Sequence, residues 1–350
     1  MTTVARGTMS AAVLTGPRHV ESRGIPVPDV EPRTLLVRVL TTGVCGSDVA
    51  AYRGTHPYKT APIVLGHELC GVVERLGDGV RGFSVGDLVC AAAYSPCERC
   101  AACRAGAANL CTDRRNLSHL GWQGSFADYV LLHENMAFRL ADHVDPLAGA
   151  MVEPLSIGLH AVRLARPAGS VVVLGSGSIG LSCALAVKRR WSAWVTCVDL
   201  GPHKEAPARL AGADDYVDAA GDDFASWVAL GPADVVFVAS GHDGALAQAA
   251  AMVRRGGQVV VVSYFDAPVL LDANALVGGE LTLVGSALST AADFAEVIDW
   301  VETGAVDPRP LVTHHFDLAD TAGALALLDG AGGNTGKVMI HVSTREGGGR

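Results

Sequence analysis

The run VVVLGSGSIGLSCALAVKRR, residues 171–190, constrains the fold of this chain more tightly than any other stretch. A β-branched apolar segment stops at Gly175, and Gly175, Gly177 and Gly180 form G-x-G-x-x-G at the start of an Ala/Leu-rich helical segment. In that setting the first glycine allows a tight turn, the second lets backbone approach a pyrophosphate, and the third lets helix pack closely on strand. The amides of Ser178, Ile179 and Gly180 open the expected helix, where N–H groups lack intrahelical acceptors and can bind phosphate. The next apolar run ends at Asp199, 19 residues past Gly180, where a carboxylate accepts hydrogen bonds from an adenosine ribose and repels a 2′-phosphate. The residues that follow, LGPHK, offer Lys204 as a further ribose or adenine contact and contain no arginine, so NAD is favoured over NADP. The alternative, a flexible loop with an ordinary strand-end acid, leaves the register of strand, glycines, helix and acid unexplained.

Beyond that turn, the apolar runs WVTCVDL, DVVFVAS, QVVVVSY and LTLVGS alternate with helical stretches such as 178–190 and 243–254. Continuous apolar strands alternating with helices indicate a parallel sheet covered on both faces. Upstream, short β-like runs (TLLVRVL, IVLGHELCGVVERL, DLVCAAA, FADYVLL) separated by Gly, Pro and Asp indicate a β-rich module with few helices. Mixed β character returns after about residue 297, in DWVETG, LVTHHFDL and GKVMIHV. The expected division is therefore 1–155, 156–297 and 298–350, with the last segment folding back onto the first module. Two domains also suit 350 residues of 49% hydrophobic content. The REGGGR tail has nothing to bury and is expected to be disordered.

A formal charge of −9 gives no general attraction to nucleic acid or anionic membrane, so a small-molecule partner is expected. No segment approaches the roughly 20 apolar residues of a membrane span, and no signal-like apolar stretch opens the sequence. Cytoplasmic residence is the resulting expectation.

Four of nine cysteines cluster as Cys97, Cys100, Cys103 and Cys111, with spacing C-x2-C-x2-C-x7-C. Four thiolates from one compact loop can close a tetrahedral structural zinc site. An iron–sulfur cluster is the rival, but ferredoxin-like runs close with a nearer fourth cysteine followed by proline. Cys70, Cys90, Cys183 and Cys197 sit in apolar surroundings and read as buried thiols. A second constellation joins Cys45 in GVCGSD, His67 and Glu68 in GHE, and Glu153 in VEP. Three mixed S, N and O ligands with an exchangeable position are the pattern of catalytic zinc.

GHELCGVVERLGDGV spaces Gly66, His67, Glu68, Gly71, Gly77 and Val80 as in the signature of the zinc-containing alcohol dehydrogenases. The cysteine lobe, GVCGSD, GSFADYV, VEPLSIGLHAV and GSGSIG follow the order seen there, so nearly the whole chain resembles that family of the medium-chain dehydrogenase/reductase superfamily. Glu153-Pro154 resembles the sorbitol (L-iditol) and L-threonine dehydrogenase branch, whereas the animal-type enzymes carry cysteine at that position. The resemblance implies an α/β architecture: a GroES-like β-rich catalytic domain from both chain ends, a Rossmann doubly wound parallel sheet between, and a cleft at their junction. It implies that Cys45 and His67 bind a catalytic zinc, with Glu153 and Glu68 as third ligand or alternates with water. It further implies that Asp48 orients the His67 ring and that Ser47 receives the alcohol proton. Relatives commonly carry histidine three residues after that hydroxyl, whereas Ala50 stands here, which leaves the proton exit open. Tyr52, His56, Tyr58, His119 and Trp122 are candidates for the pocket lining.

The activity expected is zinc- and NAD-dependent oxidation of a secondary alcohol on a polyol, sugar, aminocyclitol or amino sugar. Ketone reduction is the same chemistry reversed. The alternatives are a zinc-free quinone or enoyl reductase of the same superfamily, which has no use for the metal residues, and a non-catalytic NAD sensor. Relatives are usually dimers or tetramers, so a homodimer or homotetramer is expected.

Overall fold

The structure is a computed structural model that describes residues 7–230, 233–330 and 335–344; the REGGGR expectation falls on residues outside these. The chain divides into two compact units, one of residues 1–153, 294–332 and 337–350, the other of residues 154–293 and 333–336.

The first unit is built on Thr34–Gly43, TLLVRVLTTG, buried at nine of its ten positions. A strand that is apolar on both faces must be covered on both faces, so it lies inside a sheet and not at an edge. It pairs antiparallel with Glu68–Leu76, Tyr129–His133 and Lys337–His341. The last of these pairings brings Met339 opposite Gly43 and so closes the sheet with residues far along the chain. Leu88–Ala91, Ala137–Leu140 and Val312–Asp317 complete seven strands. A separate three-stranded sheet pairs Thr8–Gly16 with His19–Pro26 and Ile63–Val64. Its core draws Leu14, Val49, Tyr52, Leu65 and Phe126 together with Leu325 and Ile340. Helices of this unit include the short Gly46–Arg53 and Ala101–Arg104 and, near the chain end, Thr321–Asp329.

The second unit is a six-stranded parallel sheet, in spatial order Asp215–Asp218, Trp194–Asp199, Ser170–Leu174, Ala233–Val238, Val253–Val261 and Thr282–Gly285. In chain order that is 3-2-1-4-5-6, the doubly wound Rossmann arrangement, whose order reverses beside its first strand and places ligands beyond the carboxyl ends there. Helices Ser178–Arg190 and Ala245–Met252 fall on the two anticipated helical stretches. The strand Asp215–Asp218 had no counterpart in the sequence reading, because four residues bounded by acids carry no apolar run. Among the described residues, no helix is long and apolar enough to cross a membrane.

Candidate active site

In the second unit the strand Ser170–Leu174 runs into Gly175, whose φ of +102° suits glycine, and a Cβ there would lie 2.9 Å from the Ala239 carbonyl carbon. Gly177 caps the helix, and a Cβ on it would meet nothing within 4 Å. A Cβ on Gly180 would overlap the Gly175 carbonyl oxygen. The three glycines therefore serve three different ends: turn, open space and close packing. Leu181 N makes the first intrahelical bond to Gly177 O at 2.9 Å, which leaves the Ser178, Ile179 and Gly180 amides ahead of it. The Ser178 hydroxyl is buried without a hydrogen-bond partner. Space at Gly177, amides ahead of the first helical bond and an unpartnered hydroxyl fit a dinucleotide's pyrophosphate.

Asp199 ends the strand Trp194–Asp199, and its carboxylate accepts from Ser176 N at 2.5 Å and Leu200 N at 2.7 Å. These bonds fix the acid beside the glycine turn. Lys204 donates to the Thr335 carbonyl at 2.7 Å, and burial lowers its pKa.

In the first unit, the Sγ atoms of Cys97, Cys100, Cys103 and Cys111 lie within 4.8 Å of one another. Backbone amides donate inward: Cys97 N to Cys111 Sγ at 3.3 Å, Cys100 N to Cys97 Sγ at 3.4 Å, and Cys103 N to Cys100 Sγ at 3.5 Å. The Cys103 and Thr112 amides push the Cys100 thiol down to about 6. Amides aimed at sulfur stabilise thiolates, so the lobe fits a four-thiolate zinc.

The second cluster is assembled by secondary-structure ends. Cys45 is the N-cap of Gly46–Arg53, and its amide donates to Asp48 Oδ2 at 3.2 Å. His67 and Glu68 stand at the start of Glu68–Leu76, one strand over. Ligand atoms of Cys45, His67 and Glu68 lie within 4.8 Å of one another. Glu153, in the first turn of Val152–Leu164, is buried. Desolvation pushes its carboxyl up to about 7, against the pull of His67 and with a further push from Glu68. A buried acid, a thiol and an imidazole so close together fit a divalent cation, since the ion's charge removes the penalty for ionising them; Glu153 lies outside this close group.

Asp48 lies 3.6 Å from His67 Nδ1, through Oδ1. Burial works to raise its pKa, but Lys59 and His67 hold the carboxyl well below the usual range. Two residues absent from the sequence reading complete the surroundings. Lys59 Nζ donates to Ser47 Oγ and to Asp48 Oδ1, both at 2.9 Å. Lys337 Nζ pairs with Glu68 Oε2 and donates to the Val44 carbonyl at 3.1 Å. No local motif announces either residue. The available signal was composition, since lysine occurs only four times in this sequence.

The expected pocket lining divides. Tyr52 is buried in the hydrophobic core, because its helix packs that face inward. Trp122 donates from Nε1 to Leu131 O at 2.8 Å under the Arg115 guanidinium, a structural arrangement. His56, Tyr58 and His119 form an edge-packed series with ring centroids 4.4 and 4.9 Å apart. Burial and Lys59 push the His56 imidazole down to about 4, and its Nδ1 accepts from Lys59 N at 3.1 Å.

Residues 31–142 match the alcohol dehydrogenase GroES-like domain and residues 177–303 the zinc-binding dehydrogenase domain. The chain is 33% identical to a sorbitol dehydrogenase of Halalkalibacterium halodurans, covering 89% of this chain and 94% of that protein. It is 31% identical to an L-idonate 5-dehydrogenase of Vitis vinifera, over 95% and 94% of the two. Among solved structures, an alcohol dehydrogenase of Escherichia coli CFT073 complexed with NADH superposes with a TM-score of 0.88 at 26% identity, covering 96% and 99%. A Sinorhizobium meliloti 1021 protein described as a zinc-binding dehydrogenase and bound to NADP gives 0.87 at 28%, covering 96% and 100%. With both domains matched and identity above 30% along almost its whole length, the chain belongs to the zinc-dependent medium-chain dehydrogenase/reductase family and is an oxidoreductase acting on CH–OH groups.

Proposed function

We propose that this enzyme oxidises a secondary alcohol of a polyol, sugar, aminocyclitol or amino sugar to the ketone, with NAD as hydride acceptor. The observation that carries the reading is the convergence of Cys45, His67 and Glu68, with Glu153 buried and within electrostatic reach of His67 and Glu68. Zinc held there supplies a Lewis acid for the substrate hydroxyl, and NAD supplies the hydride acceptor. Cys45 and His67 serve as ligands, completed by Glu153 or Glu68 or by water. Glu68 lies within the cluster but is already paired with Lys337, and Glu153 lies outside the close group. Asp48 orients the His67 ring, and Ser47 Oγ would take up the substrate hydroxyl's proton while releasing its own to the cofactor ribose or water.

Relatives that act on sorbitol and L-idonate support a polyhydroxylated substrate. The preference for NAD rests on Asp199, whose charge sits where a 2′-phosphate would be repelled. Gly175, Gly177, Ser178, Ile179 and Gly180 receive the pyrophosphate, and Lys204 lies on the adenosine side. The outermost strand, Thr282–Gly285, exposes Leu283, and Leu270 and Val277 just before it are exposed as well, which supports a homodimer or homotetramer. Nine free cysteines suit the reducing cytoplasm.

The test is NADH formation across sorbitol, L-idonate, aminocyclitols, L-threonine and simple secondary alcohols, with zinc-loaded and chelator-treated protein. Turnover should be confined to the zinc-loaded form. If the zinc-loaded enzyme ignored every alcohol while the chelated protein reduced quinones, the zinc-free reductase reading would replace this one.

A further inference from the structure

This chain's general cation is arginine: of 27 basic residues, only Lys59, Lys188, Lys204 and Lys337 are lysines. Two of the four are buried, Lys59 with 6% and Lys337 with 1% of the side chain exposed, and both meet the Cys45–His67–Glu68 cluster or its immediate neighbours. Lys337 is accounted for as the counter-ion of Glu68. Lys59 is different, because its ammonium divides between a charged partner, Asp48, and a neutral one, Ser47.

Asp48 does not need Lys59 for its position. Its Oδ2 accepts from Cys45 N at 3.2 Å, and its Oδ1 also accepts from Gly66 N at 3.4 Å. The bond to Ser47 is therefore the part of the arrangement that a plain counter-ion would not require. A compact ammonium can send separate N–H groups to divergent acceptors, which a planar guanidinium fork cannot do as readily. An ammonium has no lone pair, so Lys59 cannot itself take a proton from Ser47. What it can do is occupy one lone pair of Ser47 Oγ and leave the other in a fixed direction, with a positive charge beside the oxygen. The Lys59 backbone is itself pinned by its bond to His56 Nδ1.

We propose that Lys59 is a positioning residue of the alcohol-oxidising site: it ties Ser47 and Asp48 into one hydrogen-bonded unit, so that Ser47 presents a fixed acceptor to the substrate hydroxyl. The proposal rests on the assignment of Ser47 as that acceptor.

The experiment compares full-length wild type with Lys59→Met, Lys59→Arg, Asp48→Asn, the double variant Lys59→Met/Asp48→Asn, and Ser47→Ala, each assayed for bound zinc. With four lysines, a side-chain ¹⁵N spectrum of lysine-labelled protein resolves each ammonium and needs no turnover. Ser47→Ala should shift the Lys59 resonance and speed its proton exchange while leaving the other three in place. An unchanged Lys59 signal would mean that the bond does not exist and would overturn the proposal. With sorbitol, L-idonate, L-threonine and 2,3-butanediol as substrates, Lys59→Met should lower kcat per zinc-loaded site by about ten- to hundredfold, the loss expected for a charged hydrogen bond. KM should change by less than about threefold, the pattern of an interaction made in the transition state. The solvent isotope effect on kcat should rise, and Lys59→Arg should restore turnover only in part. If Lys59→Met folds poorly, the double variant, which leaves no unpaired buried charge, is compared with Asp48→Asn alone and should be slower than it. If Ser47→Ala retained full turnover, the Ser47 assignment would fail first. If Ser47→Ala lost turnover while Lys59→Met kept wild-type kcat and isotope effect, or the double variant matched Asp48→Asn alone, only the role of Lys59 would fall.

Discussion

Replacing Gly177 and Gly180 separately by alanine distinguishes space reserved for a ligand from space consumed by packing. A methyl group at Gly177 meets nothing within 4 Å, so the folded chain should accept it. The N-cap preference for glycine over alanine is worth less than about 1 kcal/mol, so Tm should move by less than about 4 °C for a unit of this size. A methyl group at Gly180 instead overlaps the Gly175 carbonyl oxygen, a backbone atom that cannot swing aside. Overpacking of this kind costs about 1–3 kcal/mol, and alanine's better helix propensity returns about 1. With a rigid partner the upper end applies, leaving a net loss of about 2 kcal/mol, or roughly 4–8 °C in Tm. Binding should rank the variants the other way relative to their stability. The Gly177 methyl occupies volume the pyrophosphate needs, so the Kd for NADH should rise at least tenfold, about 1.4 kcal/mol, in a protein of near-normal stability. Thermal unfolding without cofactor and titration of NADH fluorescence measure the two quantities independently. A Gly177→Ala protein that bound NADH like wild type, or a Gly180→Ala protein of undiminished stability, would refute this division of roles.

Asp199→Ala should narrow the NAD-over-NADP ratio of kcat/KM by about tenfold or more, since the repulsion of a 2′-phosphate disappears; an unchanged ratio would remove Asp199 from the cofactor site. Asp293 provides a pH prediction. Its carboxylate is paired with Arg163 at 2.8 Å and receives hydrogen bonds from His160 at 2.9 Å and the Thr290 amide at 2.7 Å. Burial works to raise its pKa, but His160 and the Thr290 hydroxyl and amide hold it below the usual value. A depressed carboxylate stabilises the fold above its unfolded pKa of about 3.9, and that stability is lost as pH falls through this value and below. Asp293→Asn should therefore be less stable than wild type by about 1.5–3 kcal/mol at neutral pH, with a gap that shrinks between pH 5 and pH 3 in urea titrations. A pH-independent gap would show that the charge is not what matters.

What could be read from the sequence was whatever chemistry packs into short, contiguous spacing. The four thiols of the lobe span 15 residues, and the glycine turn, its strand and its helix are continuous, so local geometry left few alternatives. The helices Ser178–Arg190 and Ala245–Met252 were legible for the same reason. The strand Asp215–Asp218 was not, because it is defined by its pairing to Thr196–Asp199 and not by its own composition. Tyr52 shows the converse: adjacency to Cys45 and Asp48 in sequence suggested a pocket, yet helical periodicity turns its ring into the core. Lys59 and Lys337 were invisible because each acquires meaning only from a partner brought to it by tertiary structure. Lys59 lies 12 residues from Ser47, and Lys337 meets Val44 across a separation of 293.

That last separation has a consequence for how the protein is made. At about 5–20 residues per second, a ribosome needs roughly 15–60 s after finishing Val44 to deliver Lys337. Throughout that interval the strand Thr34–Gly43 lacks a neighbour and Glu68 lacks its ammonium, so the nascent first module carries an open sheet edge beside an unneutralised acid. Exposed sheet of that kind is where chaperones engage and where stalled or truncated products aggregate, until the final strand arrives.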